Sequence, residues 1–320
     1  MKVLVTGGSG FIGTNIIGQL LNKGHEVLNV DIKIPKDRAH LKYWRNIDIN
    51  IFEDIDSCLF SFQPDYIIHL SARTDLNGKS MIEYKTNVQG VSNLMKSVNS
   101  LIGLKKIIIT SSMLVCKPGY VPKNQFDYCP TTYYGLSKVE TERIVWMNKP
   151  TCDWAIIRPT SIWGPWFEVP YRNYFELLLA KKYFHIGTKS CVKTYGYIGN
   201  TVHQIFGILF ADTLNESNKI FYVGDYVETN IEDWSNQIAS ELGYKLVKLP
   251  YFFVLMIAYI GNFFNFLKIS LPLNTFRLRN MTTNNVVDLS NTKDIVPHLP
   301  FTRKEGIRAT LDWIKSQRFL

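Results

Sequence analysis

Short apolar runs alternate with longer segments of helical periodicity through the first half of this chain of 320 residues. The apolar runs are rich in β-branched residues and carry few polar positions, as in Ile107-Ile108-Ile109. Strands of this composition are typical of a parallel sheet that helices cover on both faces. We therefore predict strands at 2–6, 26–30, 43–47, 65–70, 105–111 and 153–158, separated by helices at 11–23, 51–62, 81–101 and 132–148.

The alternation becomes irregular after Pro159, where aromatic and turn residues are frequent. One later apolar run, 219–223, has the composition of a further strand of the main sheet. The pattern predicts a doubly wound α/β fold with a parallel sheet. It consists of a main domain over 1–160 and a smaller, irregular substrate-binding region over 161–320, some of whose elements return to the sheet.

The first predicted strand leads directly into a glycine-rich turn, Thr6-Gly7-Gly8-Ser9-Gly10-Phe11-Ile12-Gly13. We expect Gly7 to make a tight turn, Gly10 to let a pyrophosphate approach the backbone, and Gly13 to allow close packing of helix on strand. The helix that follows directs its unpaired N–H groups and positive dipole end at the phosphates. This arrangement predicts a Rossmann domain that binds a dinucleotide.

The second predicted strand is followed by Asp31, which can accept hydrogen bonds from the ribose hydroxyls of the dinucleotide. A carboxylate at this position repels a 2′-phosphate, so it favours NAD over NADP, although nearby Lys33 leaves NADP open. The cofactor that we predict is NAD.

Tyr134 and Lys138 are four residues apart in a predicted helix and therefore share one face. A lysine ammonium beside a phenol favours the phenolate, so we expect Lys138 to lower the pKa of Tyr134 and make it a usable base. The strand that precedes this helix ends in Thr110-Ser111-Ser112. Its hydroxyls are expected at the carboxyl edge of the sheet, where open α/β sheets bind ligands.

The order of these motifs resembles the extended short-chain dehydrogenase/reductase family, which includes nucleotide-sugar epimerases, dehydratases and reductases. The resemblance covers most of the chain. It is carried by the turn at 6–13, Asp31, Asp48-Ile49, His69-Leu70-Ser71-Ala72, Asn87-Val88-Gln89-Gly90, Thr110-Ser111-Ser112, Tyr134 with Lys138, and Arg158-Pro159-Thr160.

The resemblance implies a catalytic triad of Ser112, Tyr134 and Lys138, with Asn87 supporting the geometry of the active site. It also implies that Asp48 and Ile49 flank the adenine and that Pro159 passes along the nicotinamide. The full set of implied cofactor-binding residues is Gly7, Gly10, Phe11, Ile12, Gly13, Asp31, Asp48, Ile49, Leu70, Ser71, Ala72, Asn87, Tyr134, Lys138 and Pro159.

Departures from the family pattern narrow the reaction. Where similar 4,6-dehydratases carry an Asp-Glu pair, this chain has Met113 and Leu114, which cannot eliminate water by acid–base chemistry. An asparagine that often contacts the sugar diphosphate is replaced by Ser161, and Lys193 stands where many members carry an arginine. We expect Ser161 and Lys193 to contact the substrate, Lys193 as a point charge on the phosphate.

Residues 251–267 form an uncharged, aromatic-rich stretch of 17 residues. As a helix it is about 25 Å long, which is short of a roughly 30 Å hydrocarbon core. Three interpretations stay open: a buried helix, a membrane-surface element with a basic rim, and a transmembrane helix. The rim comprises Lys245, Lys248, Lys268, Arg277 and Arg279.

Composition adds constraints of its own. Five scattered cysteines without CxxC spacing predict neither a metal site nor a disulfide framework, and they indicate a reducing, cytoplasmic compartment. The net charge is +9, and residues 245–320 carry 11 Lys/Arg against 4 Asp/Glu. Because no nucleic-acid motif accompanies this charge, we expect no nucleic-acid partner and favour the inner membrane surface or a diphosphate substrate.

The function favoured by these features is NAD-dependent 4-epimerisation of a diphosphate-linked sugar, through a transient 4-keto sugar, in bacterial surface polysaccharide synthesis. The carrier is a polyprenyl diphosphate or a nucleotide. A homodimer is one assembly open to the chain, and the sequence does not fix the oligomeric state. Alternatives are an NAD(P)-dependent 4-keto-sugar reductase or a lipophilic-alcohol, steroid-like dehydrogenase, and a non-catalytic dinucleotide sensor.

Overall fold

The computed structural model describes residues 1–187, 191–212, 214–215, 218–266, 278 and 282–317, with the backbone alone at 258 and 261–266. The strands are β1 (Lys2–Thr6), β2 (Glu26–Val30), β3 (Trp44–Arg45), β4 (Tyr66–His69), β5 (Lys106–Thr110), β6 (Asp153–Pro159), β7 (Ser161–Trp163), β8 (His185–Ile186), β9 (Val192–Lys193), β10 (Tyr195–Tyr197), β11 (Ile220–Val223), β12 (Thr229–Asn230) and β13 (Lys248–Leu249). The α-helices are α1 (Phe11–Asn22), α2 (Phe52–Phe62), α3 (Val91–Val98), α4 (Tyr133–Met147), α5 (Tyr171–Leu179), α6 (Ile198–Phe210), α7 (Ile231–Glu241), α8 (Tyr251–Phe266), α9 (Ser290–Ile295) and α10 (Arg303–Gln317).

Seven of the described strands form one parallel sheet in the order β11-β6-β5-β4-β1-β2-β3. The order reverses between β1 and β4, where Thr6 pairs with His69. In a doubly wound sheet, ligands bind in the crevice outside the carboxyl ends of the strands at such a reversal. The prediction of a Rossmann-like α/β fold is confirmed.

The two faces of the sheet explain why its strands are apolar at nearly every position. Along β1, Val3 and Val5 pack into a core that includes residues of α1 and α6. Leu4 belongs to a second core, with residues of α2 and α3. Because successive side chains of a strand point to opposite faces, both faces are buried.

The predicted elements of the first half are confirmed, with two differences. The strand predicted at 43–47 shortens to β3, the outermost of the sheet. The segment predicted as one helix at 81–101 forms a 3₁₀-helix (Met81–Tyr84), a π-helical turn (Thr86–Gly90) and then α3.

The later part of the chain contributes both to the main sheet and to small ribbons. The apolar run at 219–223 forms β11, which joins the edge of the main sheet beside β6, as predicted. The ribbons are two-stranded and pair β7 with β10, β9 with β12, and β8 with β13.

Candidate active site

The turn between β1 and α1 is shaped by glycines that other residues could not replace. Gly7 has a φ of +71°, and a Cβ on it would lie 2.5 Å from the Ser71 nitrogen. A Cβ on Gly13 would lie 2.4 Å from the Gly7 carbonyl oxygen. At Gly10, by contrast, that same oxygen is the one atom within 4 Å of an added Cβ, at a distance of 3.2 Å. The packing of the protein therefore explains Gly7 and Gly13, while Gly10 leaves its backbone open to a ligand.

The beginning of α1 is suited to an anion. The residue before the helix is Gly10, which has no side chain to cap the first N–H groups, and the first turn carries no acidic residue. The first N–H groups of a helix have no partner within it, so those at Phe11 and Ile12 can bind phosphate oxygens.

Asp31 follows β2 and reaches back to the same turn. Its carboxylate accepts hydrogen bonds from the backbone N–H groups of Ser9, at 3.0 Å, and Lys33, at 2.9 Å. Burial raises the pKa of Asp31, while these backbone N–H groups act to lower it. Each oxygen has a lone pair left for another donor, as ribose hydroxyls would require.

The other predicted cofactor residues lie at neighbouring strand ends. Leu70, Ser71 and Ala72 follow β4, and the N–H groups of Leu70 and Ser71 donate to Thr6 at the end of β1. Asp48 binds the N–H and side-chain amide of Asn50 in a tight turn after β3. Ile49 and Pro159, two further predicted cofactor residues, are both buried. Pro159 is the last residue of β6.

The predicted triad comes together at the end of β5. The Lys138 ammonium donates a hydrogen bond of 2.9 Å to the Thr110 carbonyl oxygen. The Ser112 side chain is near enough to the Tyr134 phenol to act on its pKa, and the Ser112 oxygen accepts a hydrogen bond from the Leu114 N–H at 3.1 Å. Tyr134, Lys138 and Ser112 are all buried.

The pKa values of the pair differ from the expectation based on sequence. Burial raises the pKa of Tyr134 to about 12, although the neighbouring Ser112 side chain acts to lower it. Burial also lowers the pKa of Lys138 to about 8, opposed by the charge of Glu142. The expectation that Lys138 lowers the pKa of Tyr134 is wrong for this structure, because the desolvation of the phenol outweighs the other effects and the ammonium is held on the Thr110 carbonyl.

Asn87 lies in the π-helical turn and is fully buried. Its side-chain amide donates to the Arg73 carbonyl at 3.0 Å and to the Ser137 hydroxyl at 2.8 Å, and its oxygen accepts from the Arg73 N–H. The Asn87 carbonyl accepts from Thr141 at 2.6 Å. Asn87 thus ties the loop after β4 to the helix that carries Tyr134 and Lys138.

The two predicted substrate residues lie in the later part of the chain. Ser161, in β7, pairs with Tyr195, and its hydroxyl accepts a hydrogen bond from Tyr171, a partner that sequence reasoning did not find. Lys193, in β9, is half-buried, and burial lowers its pKa.

Asn285 connects the strand of Lys193 with the triad side of the site. Its backbone N–H donates to the Val192 carbonyl in β9 at 3.0 Å, and its carbonyl oxygen accepts from the N–H of Thr194, just after that strand, at 3.0 Å. Its side-chain oxygen accepts from the Gly119 N–H at 3.0 Å, and its amide nitrogen lies 3.6 Å from the Met113 sulfur. Sequence reasoning missed Asn285, because its partners are distant along the chain.

Comparison with known proteins assigns the chain to a family. Residues 3–228 match the NAD dependent epimerase/dehydratase family, and the chain belongs to that family of enzymes. Its cofactor is accordingly NAD.

Among curated relatives, a 3-beta-hydroxysteroid dehydrogenase of Mycolicibacterium neoaurum is 30% identical over 269 residues, which cover 77% of this chain and 71% of the relative. The N-acetyl-alpha-D-glucosaminyl-diphospho-ditrans,octacis-undecaprenol 4-epimerase of Escherichia coli O157:H7 is 28% identical over 213 residues, covering 64% and 62%. A crystal structure of the UDP-glucuronic acid 4-epimerase from Bacillus cereus in complex with NAD superposes with a TM-score of 0.76 at 20% identity and covers 99% of this chain and 97% of the other.

The residues at the sheet edge fit this cofactor. The glycine turn leaves its backbone accessible at Gly10, and the helix that follows presents free N–H groups to a diphosphate. Two buried polar atoms at the same edge, Nε2 of His69 and Oγ1 of Thr110, have no hydrogen-bond partner within the described ranges. Such atoms are usually satisfied by a ligand or ordered water.

Proposed function

We propose that this protein is an NAD-dependent 4-epimerase whose substrate is an amino sugar linked through diphosphate to a polyprenyl carrier. The observation that carries the reaction is the placement of buried Tyr134 and Lys138 one turn apart on α4, with Lys138 anchored on Thr110, at the sheet edge that also holds the glycine turn. Met113 and Leu114 supply no carboxylate for elimination of water, which favours epimerisation over dehydration. The similarity to the undecaprenol-linked epimerase supports the choice of substrate.

In the proposed mechanism, Tyr134 exchanges a proton with the 4-hydroxyl of the sugar. The Ser112 hydroxyl holds the reacting oxygen beside the phenol, and the Lys138 ammonium, anchored on the Thr110 carbonyl, is assigned to the cofactor. Bound NAD supplies reversible acceptance of a hydride from C4. Gly7, Gly10, Phe11, Ile12 and Gly13 hold its diphosphate.

The substrate diphosphate is assigned to the side of the site formed by Lys193 and Asn285. Lys193 is half-buried, and burial lowers its pKa, so an anion bound beside it would stabilise its charged form. The Asn285 amide nitrogen faces a thioether sulfur, which is a weak acceptor, so a phosphate or sugar oxygen would be a better partner. Ser161 completes this proposed substrate side.

The carrier is inferred from α8, whose described side chains pack on one side only. Val254 is fully buried against residues of β8 and β13, including Ile186 and Leu249. Phe252, Phe253 and Tyr259 are 66%, 57% and 61% exposed, and Met256, Ile257 and Ile260 are exposed as well. The described side chains of α8 are therefore too exposed for a buried core helix. In the part of the chain that is described, no helix has the length and apolarity needed to cross a membrane.

The exposed face of α8 fits an interfacial position on a bilayer. Removing one large apolar side chain fully from water is worth roughly 1.5–3 kcal/mol, so partial immersion of several aromatic residues gives substantial binding. Lys245 and Lys248 precede the helix, with Lys248 already paired to Glu232 at 2.9 Å. Of the basic rim, Lys268, Arg277 and Arg279 lie outside the described residues, as does Leu267. We propose that the protein works at the cytoplasmic face of the membrane.

The reaction is tested by incubating the purified protein with NAD and two substrates, UDP-N-acetylglucosamine and polyprenyl-diphosphate-N-acetylglucosamine in liposomes. We expect the galacto epimer from the lipid-linked sugar, with no net formation of reduced cofactor. Efficient epimerisation of the UDP-sugar alone would overturn the proposal of a polyprenyl carrier. Consumption of cofactor in an amount equal to the product formed would overturn the proposal of epimerisation.

The membrane proposal is tested by flotation with liposomes that contain anionic lipid. The double variant Phe252→Ser, Phe253→Ser should lose most of its flotation, because both side chains are exposed on α8. Phe60→Ser is the matched control, since Phe60 is exposed on α2 and should not affect binding. Equal flotation of the two variants, or a wild-type protein that does not float, would contradict the proposal.

A second candidate is an NAD-dependent dehydrogenase of a lipophilic alcohol. The similarity to the 3-beta-hydroxysteroid dehydrogenase over 77% of this chain supports it, and the Tyr197-Ile198-Gly199-Asn200 segment resembles steroid dehydrogenases. A lipophilic substrate would also suit the exposed face of α8. Steady reduction of NAD with a 3β-hydroxysteroid, and no epimer from either sugar, would favour this candidate.

A further inference from the structure

A buried carboxylate lies on the same helix as the proposed catalytic pair. Glu142 is one turn beyond Lys138 and two turns beyond Tyr134, so the three share one face of α4. The Glu142 side chain is fully buried, and the side chain of its partner Arg158, on β6, is almost fully buried. The Arg158 Nε and Nη2 groups donate to the two carboxylate oxygens at 2.8 and 2.7 Å, which forms a bidentate pair.

Two hydroxyl groups complete the shell of the Glu142 carboxylate. Tyr128 donates to it at 2.9 Å, and Ser111 donates to the other oxygen. Arg158 is satisfied in turn by the Gln125 carbonyl at 2.7 Å and the Tyr222 hydroxyl at 3.1 Å. With four donors, the carboxylate has no lone pair left for a reacting group, so Glu142 does not act on substrate itself.

The contacts of α4 with the end of β5 follow a regular pattern. Three consecutive residues at that end each face a different turn of the helix. Thr110 and Ser111 are hydrogen-bonded to Lys138 and Glu142, and Ser112 is near enough to Tyr134 to act on its pKa. A rotation or slide of α4 would therefore disturb all three contacts together. Glu142 is the member of this set with a rigid, bidentate anchor on a second strand, β6.

We propose that Glu142 and Arg158 are positioning residues, which lock α4 against β5 and β6 and thereby set Tyr134 against Ser112 and Lys138 against Thr110. Stability alone is a weak reason for such a pair, because replacing a buried ion pair by apolar residues is often neutral or stabilising. The proposal rests on the proposed use of Tyr134, Lys138 and Ser112, whatever the substrate.

The pair also affects the charge of Lys138. Burial lowers the pKa of Lys138, and the Glu142 carboxylate is the group that opposes it. The other ionisable groups near Lys138 are Tyr134 on the same helix and His69 from β4, whose pKa burial and the Lys138 charge lower to about 3. Both are neutral near pH 7, and Arg158 lies behind Glu142. Loss of the carboxylate therefore moves the Lys138 pKa further down.

The test is Glu142→Gln, which keeps the shape of the side chain and removes its charge. We expect kcat to fall by roughly 10- to 100-fold, as displaced catalytic groups do, with little change in KM. We also expect the alkaline limb of the pH profile to move to lower pH. An NMR titration of the Lys138 side chain should show the same downward shift, and it does not depend on any substrate.

The matched control is Asp153→Asn. Asp153 lies at the other end of β6, where it pairs with Lys106 at 3.1 Å and Lys219 at 2.8 Å. Its loss should destabilise the protein without changing kcat or the Lys138 titration. The double variant Glu142→Leu, Arg158→Met is the second test, because it removes the pair without leaving an unpaired buried charge.

The outcomes are distinguishable. A folded double variant with reduced kcat and a lowered Lys138 pKa supports the proposal, even where Glu142→Gln fails to fold. Wild-type kcat and an unchanged Lys138 titration in either variant overturn it. Near-normal activity of Tyr134→Phe would instead defeat the proposed function, and the Lys138 titration would still decide the role of Glu142.

Discussion

Replacing Lys138 by methionine should remove activity and at the same time stabilise the protein. The ammonium of Lys138 is almost completely buried, with the Thr110 carbonyl as its hydrogen-bond partner. Burial lowers its pKa from 10.5 to about 8. A lysine with a depressed pKa carries its proton in the folded protein at a cost, and methionine fills similar space without that charge.

The magnitude follows from the shift in pKa. One unit corresponds to about 1.4 kcal/mol, so a shift from 10.5 to about 8 corresponds to about 3 kcal/mol. Below pH 8 both the folded and the unfolded chain bind the proton, and the folded protein bears the whole cost. Between pH 8 and 10.5 the unfolded chain binds more protons than the folded one, so wild-type stability rises with pH. In the methionine variant the Thr110 carbonyl loses its hydrogen-bond donor. This loss costs about 1–3 kcal/mol at every pH and offsets part of the gain in stability.

The assay is urea unfolding of both proteins at a series of pH values from 7 to 10.5, with the difference in unfolding free energy taken at each pH. Effects of groups whose pKa does not depend on Lys138 cancel in this difference. The advantage of the methionine variant should shrink by about 3 kcal/mol from pH 8 to 10.5. The exposed Lys96 on α3 provides the control variant Lys96→Met, for which the difference should stay flat. A flat difference for Lys138→Met as well would refute the reasoning.

Two further predictions concern the base and the cofactor turn. Tyr134→Phe should lower turnover at least about 10²-fold, as loss of a general acid–base group does. The NAD affinity of this variant, measured by calorimetry, should stay within a few-fold of the wild-type value. Near-normal turnover would remove Tyr134 from the mechanism. Gly13→Ala should cost about 1–3 kcal/mol in urea unfolding and weaken NAD binding, because its Cβ would lie 2.4 Å from the Gly7 oxygen. Gly18→Ala, in the same helix, is the control. A Cβ at this position has no neighbour closer than 3.8 Å, so the change should stabilise the protein slightly. Equal losses of stability in the two variants would contradict the role of the turn.

Much of the fold could be predicted from sequence, because local patterns determine it. The apolar runs, the glycine turn and the spacing of Tyr134 and Lys138 are all short-range signals. The segment at 81–101 shows where such signals stop. Its apolar periodicity is that of one helix, but the π-helical turn at 86–90 shifts the register, and Asn87 there bonds to Ser137 and Arg73.

The residues that sequence reasoning missed have partners far along the chain. Arg158 was assigned only to a motif, and Glu142 was not singled out, because nothing in either neighbourhood shows that they meet. Asn285 reaches Met113 across 172 positions, a contact that periodicity does not encode. The pKa of Tyr134 was misjudged because sequence reveals the neighbouring charge and not the extent of desolvation.

The return of β11 to the main sheet bears on how this enzyme could be recombined with its relatives. The division at residue 160 stays a prediction, but a chimaera cut only there would take β11 from one parent and β6 from the other. The four register pairs between these strands would then have to match across parents, and a mismatched edge strand would leave backbone groups open to aggregation. Exchange of specificity therefore calls for two grafted blocks, 161–219 and 224 onward, with 220–223 inherited together with the cofactor domain.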